Sequence, residues 1–180
     1  MIQEPVKIVS YGQFETDFLS HLGENVSGIY MLPVFIEEDY IELSRFYDPS
    51  RRQYDANKLL KEIDLRASVD SIKTIGLFGV DLFIPILTYI FGQAFLKGRT
   101  GIASLYRLKN ELYGLVPDNE LLLERFKKVI IHEIGHMFGL KHCHTTSCVM
   151  LSSTYMEDID QKSAELCVKC RSELSSDYNK

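Results

Sequence analysis

Three histidines and a glutamate lie close together in the last third of the chain. Residues 132–142 read HEIGHMFGLKH, with histidines at positions 132, 136 and 142. Because an α-helix has 3.6 residues per turn, His132 and His136 lie one turn apart on one face, and both imidazoles can reach one metal ion. Gly139 allows the chain to turn after the helix, so that His142 arrives as a third ligand. Three imidazoles leave a fourth position for water, which is the arrangement of a catalytic zinc site.

Glu133 directly follows the first of these histidines. A carboxylate at this position approaches water on the metal without binding the metal itself, so Glu133 is predicted to be the general base. The alternative is a set of exposed or hydrogen-bonded core histidines at the end of a helix. Three of the five histidines in the chain fall into this one pattern, which favours the metal site.

The four cysteines of the chain follow the histidines in two pairs. Cys143 and Cys148 have four residues between them, Cys167 and Cys170 have two, and eighteen residues separate the pairs. Four thiolates in this arrangement suit tetrahedral zinc in a closed, structural site. Two disulfides or an iron–sulfur cluster are the alternatives. A bound metal would also stabilise the residues after Gly139, which contain too few aliphatic side chains to form their own core.

Together these motifs resemble the archaemetzincins, a family of metzincin-type zinc metallopeptidases. The resemblance rests on the HExxHxxGxxH pattern, on the cysteine directly after the third histidine, and on the segments Cys148-Val149-Met150 and Cys167-Val168-Lys169-Cys170. It covers residues 132–170 motif by motif, whereas the upstream part agrees only in the general order of strands and helices.

The resemblance implies a second zinc ion, bound by the four cysteines, and it assigns Met150 to the Met-turn beneath the histidine ligands. Met156 is a weaker candidate for that turn. Tyr155 is a candidate oxyanion donor or ligand, with a structural or exposed tyrosine as the alternative, and His144 is expected to be an exposed loop residue. An extended substrate would pair with an antiparallel edge strand, for which 89–95 is the candidate and a buried central strand is the alternative.

The predicted function is zinc-dependent hydrolysis of peptide (amide) bonds in a peptide or protein substrate. Water activated by the metal attacks the carbonyl, and Glu133 accepts its proton. We expect two zinc ions per chain, one catalytic and one structural, with the cysteine site fixing the approach of His142. The alternatives are a zinc-stabilised peptide-binding or regulatory module with little or no hydrolytic activity, and an amide hydrolase acting on other compounds. A binding module has no need of a base beside an open metal position, so Glu133 favours the enzyme.

Composition and charge argue against several other classes of protein. The 180 residues include 20 Lys and Arg against 25 Asp and Glu, a net charge of −5, and the basic residues are not clustered. A nucleic-acid partner is therefore not expected. No apolar segment is long enough to cross a membrane and the first ten residues lack the apolar core of a signal peptide, so we expect a cytoplasmic protein without membrane contact. A monomer is the default expectation.

Local patterns predict the elements that position these residues. The third helix has the clearest signals: Asp118 offers an N-terminal cap, Glu120 and Glu124 lie near the positive end of the helix dipole, and Gly139 follows its end. Its apolar face consists of Leu122, Phe126, Val129 and Ile130. Earlier helices are predicted over 14–22, ended by Gly23, and over 54–67. Buried strands are predicted over 6–10, 28–36, 71–80 and within 82–96, with 89–95 and 102–108 as an antiparallel pair.

The alternation of strands and helices predicts an α/β (α+β) fold with a mixed sheet packed on helices. By resemblance the fold is metzincin-like, with a twisted sheet, an antiparallel edge strand and an active-site helix that ends in the zinc motif. We predict that residues 1–139 form a sheet-and-helix subdomain including that helix. Residues 140–180 are predicted to form a small zinc-stabilised subdomain, and the two together make one catalytic domain.

Overall fold

The structure, a computed structural model, describes residues 4–178. The ends of the two predicted subdomains, residues 1–3 and 179–180, lie outside this range. The described part contains five α-helices, eight β-strands and three short 3-10 helices. The helices are α1 (Thr16–Tyr30), α2 (Ala56–Arg66), α3 (Asn119–Met137), α4 (Met156–Gln161) and α5 (Val168–Tyr178). The strands are β1 (Val6–Ser10), β2 (Val34–Glu38), β3 (Tyr47–Asp48), β4 (Gln53–Asp55), β5 (Lys73–Phe78), β6 (Leu82–Phe83), β7 (Gly92–Ala94) and β8 (Thr100–Ser104).

The main sheet has five strands in the order β2-β1-β5-β8-β7. The first four run parallel, and β7 runs antiparallel to β8 at one edge. A second, three-stranded sheet has the order β3-β4-β6. The predicted α/β fold with a mixed sheet and an antiparallel edge strand is therefore confirmed. The alternative, in which 89–95 forms a buried central strand, is wrong because β7 is the last strand of the sheet and pairs only with β8 among the described strands of that sheet.

Side chains alternate between the two faces of the main sheet and pack into two hydrophobic cores. Ile75 and Leu77 face a core formed with α1 and α3, whereas Phe78 and Ile102 face a core formed with α2. Helices cover both faces, which is why β5 and β8 are almost entirely buried. The sheet thus provides a rigid base on which α3 lies.

The chain after α3 contributes to the first of these cores. Its buried members in that core are Leu140, Cys148, Val149, Met150, Ile159, Leu166, Cys170 and Leu174. The segment that carries the four cysteines is therefore packed directly beside the helix that carries the first two histidines.

The prediction that Gly23 ends the first helix is wrong. α1 continues to Tyr30 and is followed by Met31, whose φ of 54° lies in the left-handed region. Gly23 lies inside the helix, where a Cβ would come within 3.1 Å of Cδ1 of Ile36. This glycine allows α1 to pack closely on β2 and does not terminate it.

Two predicted strands are longer than those observed. The strand predicted over 28–36 begins only at Val34, because α1 occupies its first residues. The apolar stretch 82–96 forms only the short strands β6 and β7, and between them Ile86 is 85% exposed. Pro85 lacks a backbone N–H and so cannot continue a ladder there. Apolar content alone therefore overestimated both strand length and burial.

The other predicted elements are confirmed, with bounds that shift by a few residues. β1 lies over 6–10, α2 within 54–67 and β5 within 71–80. β7 and β8 form the predicted antiparallel pair, with Gly92 opposite Ala103. The strand predicted over 102–108 is wrong in its second half, because β8 ends at Ser104 and Tyr106–Leu108 is a 3-10 helix.

Candidate metal centres and substrate cleft

Helix α3 carries the first two histidines and the glutamate. The Asp118 carboxylate accepts a hydrogen bond from the N–H of Leu121 at 2.9 Å, which caps the helix as the sequence predicts. The ring centroids of His132 and His136 are 4.5 Å apart, and their Nε2 atoms are 2.9 Å apart. The spacing of one helical turn thus brings two metal-binding nitrogen atoms close together.

The turn after α3 brings in the third histidine. Gly139 has a φ of +91°, and a Cβ there would lie 2.8 Å from Cε of Lys97. The Lys97 N–H donates to the carbonyl of His136 at 3.0 Å, so the turn between β7 and β8 packs on the end of α3. The ring centroid of His142 lies 5.3 Å from that of His132 and 4.9 Å from that of His136. One nitrogen of each histidine lies within 4.8 Å of the others.

Backbone carbonyls orient the first two imidazoles. Nδ1 of His132 lies 2.8 Å from the carbonyl oxygen of Val149, and Nδ1 of His136 lies 2.8 Å from that of Leu140. Because a carbonyl only accepts, each Nδ1 carries the hydrogen and each Nε2 has a lone pair. Two lone pairs that face each other repel unless a cation lies between them, so this donor set fits zinc. Burial lowers the pKa of these two histidines and of His142, which favours the neutral form that binds metals.

Glu133 is buried beside the edge strand β7. It is 7% exposed, and a Cβ on Gly92 would lie 2.7 Å from Cγ of Glu133 and 2.8 Å from the carbonyl oxygen of Ile102. Gly92 therefore makes room for the carboxylate where the strand crosses α3. Burial raises the pKa of the Glu133 carboxyl to about 8, and the positive charge of Lys162 opposes this shift. A cation held by the histidines would oppose this shift and favour the carboxylate, which is the form that accepts a proton.

The four cysteines form a second cluster next to the third histidine. All four sulfur atoms lie within 4.8 Å of one another, and the pairs Cys143–Cys167 and Cys148–Cys170 are each separated by 3.8 Å. A disulfide has a bond of about 2.0 Å, so the alternative of two disulfides is wrong and all four thiols are free. A zinc–sulfur distance of about 2.3 Å gives a tetrahedron with edges of about 3.8 Å. The observed spacing therefore fits one tetrahedral metal ion.

Hydrogen bonds favour the thiolate form at two of these cysteines. The backbone N–H of Cys170 lowers the pKa of Cys167 to about 6. Hydrogen bonds from Thr145, whose backbone N–H lies 3.4 Å from the sulfur, lower the pKa of Cys143. Burial acts in the opposite direction and raises the pKa of Cys148. The more exposed side of the cluster is thus prepared for metal binding, since thiolates are the ligands.

Met150 packs against α3 at Gly135, the residue that precedes His136. It is fully buried, and a Cβ on Gly135 would lie 2.5 Å from its Sδ. Its carbonyl accepts a hydrogen bond from the N–H of Cys143 at 2.9 Å. The turn that contains Met150 therefore contacts both the histidine helix and the cysteine cluster. Met156 is also buried but lies at the start of α4, and His144 is exposed outside the histidine cluster.

An open cleft of about 540 Å³ lies over the three histidines. Residues 84 and 87–94, which include β7, form one wall, and residues 152–155 form part of the other. The phenol of Tyr89 donates to the carbonyl of Thr154 at 3.4 Å and so bridges the two walls. Tyr155 lies on this second wall and is 63% exposed.

The edge strand offers free backbone groups along the cleft. The carbonyl of Phe91 accepts a hydrogen bond from the N–H of Ser104, and the N–H of Phe95 donates to the carbonyl of Thr100. Gln93, which lies opposite Ile102, faces β8 in the same way, because alternate residues of an antiparallel strand point to the same neighbour. The N–H and C=O groups of Gly92 and Ala94 therefore point to the open side of the sheet. An extended peptide can pair with them as an additional strand.

Buried cations attach α4 to the active-site helix behind the second wall. The Arg125 guanidinium binds both carboxylate oxygens of Asp160 at 2.6 and 2.7 Å, and it also donates to the carbonyl of Leu108. Lys128 donates to the carbonyl of Ile159 at 3.0 Å. The sequence analysis did not identify these residues, because nothing in the local pattern shows that a charged side chain will be buried.

Lys162, directly after α4, is a second residue that the sequence analysis missed. It is 4% exposed, lines the cleft and donates to the carbonyl of Leu151 at 2.8 Å. Burial lowers the pKa of its ammonium to about 8, and Glu133 opposes that shift. The cleft thus contains a buried cation as well as the buried glutamate.

Comparison with known proteins identifies the family. The sequence model of peptidase family M54 matches residues 16–176. The chain belongs to peptidase family M54. It is 35% identical over 179 residues to the archaemetzincin of Pyrococcus furiosus, a match that covers 96% of this chain and 93% of that protein. The expected membership of the archaemetzincins is therefore confirmed.

Solved structures of archaemetzincins share the fold. The archaemetzincin of Methanopyrus kandleri has a TM-score of 0.85 and 32% identity, covering 98% of this chain and 96% of that one. A zinc-dependent peptidase from Methanocorpusculum labreanum has a TM-score of 0.84 and 30% identity, covering 94% of this chain and 99% of that one. The chain is a zinc metallopeptidase, and its substrates are peptides or proteins. Within residues 4–178, none of the helices has the length and apolar character needed to cross a bilayer.

Proposed function

We propose that this archaemetzincin hydrolyses peptide bonds at a zinc ion bound by His132, His136 and His142, with Glu133 as the general base. The orientation of the first two imidazoles carries the proposal. Their Nδ1 hydrogens are donated to backbone carbonyls, so the Nε2 lone pairs converge at 2.9 Å. Such carbonyl partners are the usual means of fixing a metal-binding imidazole.

The groups of the chain have distinct roles in this reaction. Zinc at the three histidines supplies a Lewis acid that polarises the scissile carbonyl and lowers the pKa of water. The carboxylate of Glu133 accepts the proton of the attacking water and transfers it to the leaving amine. The free backbone groups of Gly92 and Ala94 bind the substrate in an extended conformation. Because Glu133 packs against Gly92, substrate and base lie side by side.

We further propose that Cys143, Cys148, Cys167 and Cys170 bind a second, structural zinc ion, giving two per chain. The 3.8 Å separations between the paired sulfurs support this count. The hydrogen bond from Cys143 to Met150 supports a role of the cysteine site in fixing His142, the neighbour of Cys143, and of Met150 as the Met-turn. In this proposal residues 140–180 are the zinc-stabilised part of one catalytic domain with residues 1–139. The four free thiols support a reducing compartment, which we propose to be the cytoplasm.

Metal analysis and a cleavage assay test the proposal together. Protein purified without added metal should contain two zinc ions per chain by mass spectrometry, both in the native form and in Glu133→Gln. Only the zinc-loaded native protein should cleave a degenerate peptide mixture, and Glu133→Gln should be slower by about 10²- to 10⁴-fold. Glu124→Gln is the matched control, because Glu124 is a half-exposed carboxylate of the same helix that faces Lys127.

Each alternative has its own outcome in this experiment. Iron with visible absorbance, or a single zinc ion, would contradict the proposed cysteine site. Unchanged cleavage by Glu133→Gln would contradict its role as the base. Peptide binding without turnover by the zinc-loaded native protein would favour the binding-module alternative.

A further inference from the structure

The side chain of Lys162 is a buried cation in the wall of the substrate cleft. It is 4% exposed, and the apolar side chains of Val129 and Ile159 line the same cleft. Lysine is almost never buried to this degree unless it is paired with other groups. The partners of its ammonium therefore indicate what this position does.

The ammonium has more N–H donors than the described residues accept from it. It carries three N–H groups, and the carbonyl of Leu151 accepts one of them at 2.8 Å. Nδ1 of His132 lies 3.5 Å away, but its hydrogen is donated to the carbonyl of Val149, so it offers no acceptor. Glu133 acts on Lys162 through its charge, and among the described residues no carboxylate forms an ion pair with Lys162.

The carboxylate of Glu133 packs against a different element of the cleft from the one that binds Lys162. It packs against Gly92 of the edge strand, whereas Lys162 is bonded to Leu151, beside the wall formed by residues 152–155. A peptide that pairs with the edge strand would direct its side chains alternately to the two faces of the extended sheet, and those on the α3 side would point into the cleft that Lys162 lines. An acidic side chain there would meet the ammonium, with its methylene groups beside Val129 and Ile159.

We propose that Lys162 selects substrates that have Asp or Glu next to the scissile bond, by binding the carboxylate of that side chain. This inference rests on the proposed peptidase function and names its substrate class. A site built to bind a charged group discriminates strongly against an analogue that lacks the charge, because the buried ammonium then has no carboxylate in direct contact. Peptides with Glu should therefore be preferred over otherwise identical peptides with Gln by at least about tenfold.

Lys128 provides a matched control for Lys162. It is 8% exposed and donates to the carbonyl of Ile159 at 3.0 Å, so it too is a buried lysine bonded to a carbonyl of this segment. Unlike Lys162, it does not line the cleft. Lys128→Met therefore removes a buried ammonium and one hydrogen bond without removing a charge from the substrate site.

The experiment compares the zinc-loaded native protein, Lys162→Met and Lys128→Met. Cleavage sites in a degenerate peptide mixture are first read by mass spectrometry. Peptide pairs that differ only by Glu or Gln, or by Asp or Asn, at each position beside the scissile bond are then compared by kcat/KM. We expect the native protein and Lys128→Met to prefer the acidic member at one position by at least about tenfold, and Lys162→Met to show a ratio of about one.

Two results would overturn the inference. The first is an equal rate for acidic and amide peptides in the native protein, and the second is an acidic preference that survives in Lys162→Met. A purely structural role of Lys162 would slow all peptides by the same factor and leave the ratio unchanged. The dissociation constants of the same pairs, measured by calorimetry on zinc-loaded Glu133→Gln with and without Lys162→Met, should show the same ratios. If no peptide were cleaved, the proposed function would fail, and these binding ratios would still decide the role of Lys162.

Discussion

Replacement of Gly135 by alanine should disturb the metal site from within the active-site helix. The new Cβ would lie 2.5 Å from Sδ and 3.1 Å from Cε of Met150, and 3.4 Å from the hydroxyl of Tyr30. Alanine is favoured over glycine in a helix by about 1 kcal/mol. Overpacking a core costs about 1–3 kcal/mol, and Met150 is fully buried and cannot move into solvent. The net loss of unfolding free energy is therefore about 0–2 kcal/mol, which lowers Tm by up to about 8 °C.

The effect on metal binding should exceed the effect on stability. Displacement of Met150 moves the adjacent carbonyl of Val149, which orients His132, and the carbonyl that accepts the N–H of Cys143. Loss of a hydrogen-bond partner that orients a metal ligand weakens metal affinity by about 10- to 100-fold. Urea denaturation of the zinc-loaded protein measures the first effect, and competition with a zinc chelator measures the second.

A double-mutant cycle separates this contact from other effects of Gly135→Ala. Met150→Ala alone should cost about 2–5 kcal/mol, since it leaves a cavity in the core. When Met150→Ala is made in the Gly135→Ala variant, it removes the clash, and the methyl group of Ala at position 135 fills part of the cavity. Met150→Ala should therefore cost at least about 1 kcal/mol less in this variant than in the native protein. Additive costs, within about 0.5 kcal/mol, would refute the argument that these two residues are in direct conflict.

Three further changes test other contacts of the site. Arg125→Met removes the hydrogen bonds to Asp160 and to the carbonyl of Leu108 and should lower the free energy of unfolding in urea by about 1–3 kcal/mol. Asp160→Asn combined with it should cost less than the sum of the single changes. Cys167→Ser should remove one zinc ion per chain and also weaken zinc retention at His142; full retention of the other ion in metal analysis would exclude this coupling. Gly92→Ala should push the edge strand off α3 and lower kcat/KM by roughly tenfold or more, and an unchanged kcat/KM would show that the strand can shift without consequence.

The histidine site was predictable because its geometry is mostly local. The spacing of His132 and His136 places them on one helical face whatever the remaining fold, and Asp118 begins that helix as the sequence indicates. Gly139 was assigned to the turn, and its φ of +91° agrees. The structure shows a second requirement for glycine at this position. A Cβ there would contact the side chain of Lys97, which belongs to a turn about forty residues earlier in the sequence.

Features that depend on distant contacts were not predictable from local pattern. Gly23 was expected to end a helix, but its role is set by Ile36 on the neighbouring strand. The apolar residue Ile86 was expected to be buried and is exposed, because it lies in the irregular segment beside the cleft. Lys162 lies in a polar segment, and only the packing of that segment against α3 turns it into a buried cation.

Several residues that complete the core around α3 come after this helix in the sequence, and this order has a consequence for protein synthesis. A ribosome releases the chain from its amino end, so α3 with its two histidines emerges before the residues between Cys148 and Leu174 that complete the core beneath it. His142 and all four cysteines also come after that helix. A nascent chain therefore cannot assemble the full set of proposed metal ligands until Cys170 has been synthesised. The buried face of α3 therefore lacks part of its core until residue 174 has been synthesised, and the helix that carries the first two histidines gains its full packing only after that point.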